Sequence, residues 1–142
     1  MKEEVENASR WWMDQLEKSI SNKHVLESFQ KCLAQEMIAK YTGHWYENDI
    51  GRGSGFRSVS YDNRLDPMLC RASKGAGIDT IEKHLEHARN QIMFVNPGEV
   101  KLANAALLSA PATCIFRKGD PNLTGSNAPN RPNPDFKSNS SS

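Results

Sequence analysis

Tyr41-Thr42-Gly43-His44-Trp45-Tyr46, followed at short range by Gly53-Ser54-Gly55-Phe56-Arg57, is the stretch on which the reading of this chain turns. It packs rings, one imidazole and a glycine-rich turn between a helical segment and a strand. Trp45 is large enough to anchor such a junction, and His44 can hydrogen-bond in two directions, so both read as structural residues of a corner. The glycines at Gly51, Gly53 and Gly55 invite a phosphate loop. Such a loop needs a helix directly after it, whose N–H groups meet the anion. Here Phe56-Arg57-Ser58-Val59-Ser60-Tyr61 alternates and carries aromatic and β-branched residues, which predicts a strand. With no Gly-Lys-Ser/Thr present, the glycines read as a turn.

Working backward, Val5, Ala8, Trp12, Leu16 and Ile20 recur at helical spacing over about residues 2–19. Leu26, Phe29, Leu33 and Met37 repeat the pattern over about residues 23–40. The short polar link Ser21-Asn22-Lys23 makes the two an antiparallel pair.

Working forward, Asp66 is a natural N-cap and Pro67 suits the first helical position, so Leu65-Asp66-Pro67 opens a helix with Met68, Leu69 and Ala72 inward. Gly75 and Gly77 end it. Asp79 with Glu82 resembles a capping box for a further helix over about residues 80–89, with Ile81, Leu85 and Ala88 inward. Ile92-Met93-Phe94-Val95 reads as a buried strand stopped by Asn96-Pro97-Gly98. Glu99 to Leu102 reads as a weaker strand, Ala103 to Ala110 as a long hairpin loop or a short helix, and Ala112 to Arg117 as a last strand. From Gly119 onward Pro, Asn, Ser and Gly dominate, a composition that cannot offset chain entropy by apolar burial. The domain is therefore placed at residues 1–117 and a disordered tail at 118–142.

The 142 residues carry a formal net charge of +1. A near-neutral balance speaks against a strong nonspecific grip on nucleic-acid phosphates, so direct nucleic-acid binding is expected to be weak or absent. No apolar run is long enough for a transmembrane helix, so no membrane partner is expected. Early glutamates speak against a secretory signal. Cys32, Cys70 and Cys114 are far apart and odd in number, which favours reduced thiols in a cytoplasmic or nuclear protein over a disulfide framework.

Candidate chemistry is thin. His84-x-x-His87 puts two imidazoles within reach of one metal on a predicted helix, but no further ligand spacing completes a site. Cys70 with His44 would make a thiol nucleophile only if the two were adjacent, and a buried structural thiol is the simpler reading. No catalytic residue, metal or cofactor is expected.

The motif Tyr41 to Tyr46, then Gly53-Ser54-Gly55-Phe56-Arg57, then Leu65-Asp66-Pro67, resembles the first signature box of the antiproliferative BTG/Tob family, and its intervals match without insertion or deletion. The second box is similar at Phe94-Val95-Asn96-Pro97-Gly98-Glu99-Val100, where the family usually has Trp in place of Phe94 and Asp in place of Asn96. The likeness runs from the two helices to about Arg117.

The resemblance implies an α/β (α+β) fold, an N-terminal helix pair packed with a small, mainly antiparallel sheet and two further short helices. It implies a non-catalytic adaptor that binds the Caf-type deadenylase subunit of the Ccr–Not complex, shortens poly(A) tails and restrains proliferation. RNA-binding proteins or transcription factors are further partners it implies. Carried over by position, the partner contacts fall on Phe56, Asp66, Phe94 and Asn96, while Tyr41, His44, Trp45, Pro67 and Pro97 belong to the scaffold. A diverged member without deadenylase binding, acting as a self-associating or RNA-contacting scaffold or as a transcriptional co-regulator, is the alternative.

Overall fold

The computed structural model describes residues 1–107 and 109–123. Helix α1 spans Lys2–Glu17 and α2 spans Lys23–Tyr41. The Asn22 side chain starts α2 by accepting from the backbone N–H groups of His24 and Val25, which satisfies two of the donors a helix start leaves unpaired. Val5, Ala8, Trp12 and Leu16 of α1 and Leu26, Phe29, Leu33, Met37 and Tyr41 of α2 are buried, so the two apolar stripes read from the sequence face one core.

Strand β1 (Ser58–Tyr61) leads into α3 (Pro67–Gly75), and β2 (Gln91–Asn96), β3 (Glu99–Asn104) and β4 (Thr113–Arg117) follow. The four strands form one antiparallel sheet in the order β1-β2-β3-β4. Val59, Tyr61, Met93, Val95, Val100, Leu102 and Phe116 alternate into the core against the helices. Ser58, Ser60, Ile92, Phe94 and Lys101 occupy the other face and are half-buried. A bulge between Val100 and Lys101 shifts the β3–β4 register.

One long contact ties the start of the chain to the sheet. The buried Glu4 carboxylate accepts from Gly98 N–H in the β2–β3 turn at 2.8 Å and lies 3.1 Å from the Met1 amino group. Gly98 has φ 85°, a conformation glycine adopts without steric cost.

Three expectations need correction. The strand predicted from Phe56 begins at Ser58, because the Arg57 N–H turns back to the Gly53 and Ser54 carbonyls instead of joining the ladder. The helix predicted over 80–89 is two short 3₁₀ turns, Ile81–His84 and Glu86–Ala88. Thr80 stands there at φ 51° and makes no side-chain cap, so the Asp79/Glu82 capping box does not form. Ile81, Leu85 and Ala88 are nevertheless buried, as their spacing predicts. The segment left open between Ala103 and Ala110 first continues β3 to Asn104 and then turns. At the end of the domain, residues 118–123 hold a turn and a 3₁₀ segment, Pro121–Leu123, and the rest of the tail lies outside the described residues.

Candidate docking surface

Arg57 is wholly buried, which is unusual for a guanidinium and requires every donor to be satisfied. Its Nε donates to Val95 O at 2.8 Å. Its Nη1 donates to His44 O and Arg52 O, both at 2.7 Å. Its Nη2 donates to Ile50 O at 3.2 Å and to Asn96 Oδ1 at 3.0 Å. An arginine has five N–H donors, so the fork is saturated. The Arg57 carbonyl in turn accepts from the Tyr41 hydroxyl at 3.0 Å, and its guanidinium lies 5.3 Å from the Trp45 ring centroid. One side chain thus joins the end of α2, the loop at 44–52, the approach to β1 and the end of β2.

All five acceptors are neutral, and among the described residues no carboxylate lies within ion-pair distance of Arg57. Burial lowers its pKa from the usual value, opposed by Tyr41 and Tyr46, yet an arginine starts too high to lose its proton. Burial, with the Asp66 charge adding, raises the Tyr41 phenol above its usual range, so Tyr41 stays a neutral donor. Gly53 explains the glycine-rich turn. At φ 75°, its missing Cβ would stand 2.8 Å from Arg57 Nη1 and 3.3 Å from the Tyr46 ring. The turn therefore encloses a guanidinium of its own chain.

Phe56 sits beside this anchor and points outward. It is 44% exposed, one of few large apolar side chains at the described surface. Its ring lies 4.4 Å from the His44 ring, and Lys40 Nζ stands 4.8 Å above it. A ring with two χ angles, fixed by two neighbours, offers contact area at low entropic cost.

The other expected contacts gather around β1. Phe94 lies directly opposite Ser58 on the face turned away from the helices, half-buried. Asp66 Oδ2 accepts from Ser60 N–H at 3.3 Å, and Oδ1 caps α3 through Met68 N–H at 2.9 Å. Phe56, Phe94 and Asp66 therefore flank one short strand. Asn96 differs: it is 7% exposed, and its Oδ1 faces Arg57. Of the scaffold residues, Tyr41 is buried, Trp45 is half-buried, His44 is exposed apart from its ring contact with Phe56, Pro67 opens α3, and Pro97 lies buried in the β2–β3 turn. Motif reading missed Arg57. Its signal was available: it shares the parity of Val59 and Tyr61, which places a charged side chain on the core side.

The imidazole pair does not converge. His84 Nδ1 meets Ser19 Oγ at 2.7 Å, and His87 Nε2 meets Gln15 Oε1 at 3.1 Å, both with residues at the end of α1 or just beyond it. Burial, with Lys18 adding, lowers the His87 pKa, so this ring is neutral at pH 7 and donates through Nε2. No group of three metal-ligating side chains occurs among the described residues. Burial, with the Glu82 charge adding, raises the Cys70 thiol, the opposite of an activated nucleophile. A cavity of about 600 Å³ opens between α1 and the β3–β4 end of the sheet, lined by Trp11, Gln15, His87, Asn104 and Cys114 among others. It lies toward the sheet edge opposite β1.

A sequence model of the BTG family matches residues 1–108. Protein Tob1 of Homo sapiens is 32% identical over 72 residues, covering 51% of this chain and 21% of that protein. Protein BTG1 of Gallus gallus is 25% identical over 83 residues, covering 58% of this chain and 49% of that protein. The chain thus spans half or less of the length of these relatives. Among solved structures, the BTG/Tob domain of C. elegans FOG-3 superposes with a TM-score of 0.72 at 20% identity, covering 82% of this chain and 90% of that domain. That likeness carries the fold, including the helix pair and the antiparallel sheet.

Proposed function

The chain belongs to the BTG family, and on that premise we propose that it is a non-catalytic adaptor whose β1 region docks a Caf-type deadenylase subunit of the Ccr–Not complex. In this reading the docked enzyme shortens poly(A) tails of messages selected by RNA-binding proteins, and transcription factors are further partners. The outcome is translational repression and restraint of proliferation, in cytoplasm and nucleus. The observation that supports it most is Phe56, an exposed ring held between His44 and Lys40 within one strand's length of Phe94 and Asp66. Interfaces draw most of their affinity from such fixed aromatic anchors, with a few polar groups setting orientation.

The reading assigns unequal roles to the four carried-over residues. Phe56 and Phe94 supply contact area. Asp66 has two bonds of its own to keep, so it orients the face as much as it touches a partner. Asn96 has its oxygen committed to Arg57 and acts from beneath.

Tethering the protein to a reporter message in cells tests this function. The wild type should shorten the reporter's poly(A) tail and lower its translation, and Phe56→Ala should do neither at equal expression. Full activity of Phe56→Ala would remove Phe56 from the docking surface. Inactivity of the wild type would favour the diverged scaffold.

A further inference from the structure

We propose that Arg57 is the positioning residue of the docking face, setting the place of Phe56 without touching the partner. The inference rests on the reading of Phe56 as a contact residue. Its physical basis is independent of that reading. Arg57 has no exposed surface and no free N–H donor, so it has nothing to offer an incoming protein. What it does hold is the segment that presents Phe56.

The backbone of His44 is fixed through its carbonyl to Nη1, and the His44 ring is the surface against which Phe56 packs. Arg52 and Ile50 are fixed through their carbonyls on the same guanidinium, so the turn cannot swing away from the sheet. The anchor on the sheet side is Val95 O with Asn96 Oδ1, immediately after Phe94. Arg57 is covalently next to Phe56. The two aromatic contacts, Phe56 and Phe94, are thus each one or two residues from an atom bound to this guanidinium.

Lysine cannot substitute. Its ammonium has three donors and no planar fork, so at most three of the five acceptors would keep a partner. The carbonyls left over would be released toward water, and the loop would loosen with them. Gly53 offers a second handle on the same atom group, because an added Cβ would push on Nη1 while leaving the charge in place.

Two measurements on the full chain decide the matter. The first uses the free protein: nuclear Overhauser contacts between the Phe56 and His44 rings in the wild type, Arg57→Lys and Gly53→Ala, with Leu26→Ala as a variant that weakens the core away from the loop. The second is titration of a purified Caf-type deadenylase with the same variants, each alone and combined with Phe56→Ala. The expected result is loss of the ring contacts in Arg57→Lys and Gly53→Ala but not in Leu26→Ala. Binding should weaken tenfold or more in both loop variants, and adding Phe56→Ala to either should cost less than a further twofold. Should Arg57→Lys fail to fold, Gly53→Ala carries the same comparison. Retained ring contacts in folded loop variants would overturn the proposal, and so would losses that multiply with Phe56→Ala. A wild type that does not bind the deadenylase defeats the adaptor reading, while the ring contacts still decide what Arg57 does.

Discussion

Asn96 Oδ1 accepts a hydrogen bond from Arg57 Nη2 at 3.0 Å, and both side chains are buried. The pair joins the end of β2 to the loop before β1. It also means that the charge of a buried guanidinium is met here by amide dipoles and the face of the Trp45 ring, with no carboxylate within ion-pair distance among the described residues. Charge-assisted bonds from a guanidinium to good acceptors contribute more than neutral ones, which is how a side chain so costly to desolvate remains inside.

Placing an acid at position 96 is therefore expected to strengthen the anchor. Asn96→Asp places a carboxylate against a guanidinium that is already buried and charged, so the new pair adds attraction while only one further ion is desolvated. Thermal unfolding at pH 7 should show a gain of about 1 kcal/mol or more, set by the difference between neutral and charge-assisted bonds. The new carboxyl would titrate below its unfolded value, so the gain should be lost as pH falls through its folded pKa. An unchanged or lowered midpoint at pH 7 would show that the carbonyl cage already satisfies the charge.

The three glycines of the turn should respond unequally to alanine. Gly53→Ala meets both a left-handed backbone at φ 75° and the Arg57 guanidinium at 2.8 Å. The conformation alone costs about 1–2 kcal/mol. At Gly51 and Gly55 an added Cβ meets nothing within 4 Å, and both have ordinary φ. Denaturant unfolding should rank Gly53→Ala well below the other two. Equal stability across the three would contradict the cage around Arg57.

Acid sensitivity should trace in part to Glu4. Burial would raise its pKa, but the Gly98 N–H and the Met1 amino group outweigh burial and hold it below the ordinary value of 4.5. A group with a lowered folded pKa stabilises the fold above its unfolded pKa. That contribution fades as pH falls toward the folded value. Unfolding midpoints measured from pH 6 downward should decline less steeply in Glu4→Gln than in the wild type. Parallel curves would mean that other carboxylates govern the acid limb.

Asp66 should show a structural cost separable from any binding role. Asp66→Ala removes the acceptor for Met68 N–H and for Ser60 N–H. Loss of the cap alone costs about 0.5–2 kcal/mol. Asp66→Asn keeps one side-chain oxygen and should recover much of that stability in thermal unfolding. A midpoint for Asp66→Ala equal to that of the wild type would mean that neither bond matters to the fold.

The helix pair and the sheet were legible because their apolar periods are long or cleanly alternating: Val5 to Leu16, Leu26 to Met37, and the strands around Val59, Met93 and Phe116. Asp66 and Pro67 spelled out the start of α3 through local chemistry. Residues 80–89 misled because the spacing of Ile81, Leu85 and Ala88 satisfies a helix, while two 3₁₀ turns bury the same positions. At the candidate docking surface, Phe56, Phe94 and Asp66 are named only through the motif's resemblance. Their gathering around β1 depends on strand pairing across more than thirty residues of chain, which no local pattern encodes. The bond between Arg57 and Asn96 escaped for a related reason: a hydrogen bond between side chains 39 positions apart has no signature in either neighbourhood, although the parity of Arg57 already places its side chain on the core side.

Calorimetric titration of a purified Caf-type deadenylase into the wild type and into Phe56→Ala tests the docking account most directly. The account predicts saturable binding with a micromolar or tighter Kd for the wild type. It predicts at least a tenfold loss, about 1.4 kcal/mol, for a Phe56→Ala protein whose unfolding midpoint is unchanged. A wild type that gives no binding heat at these concentrations, or a Phe56→Ala variant that binds as tightly as the wild type, would contradict it.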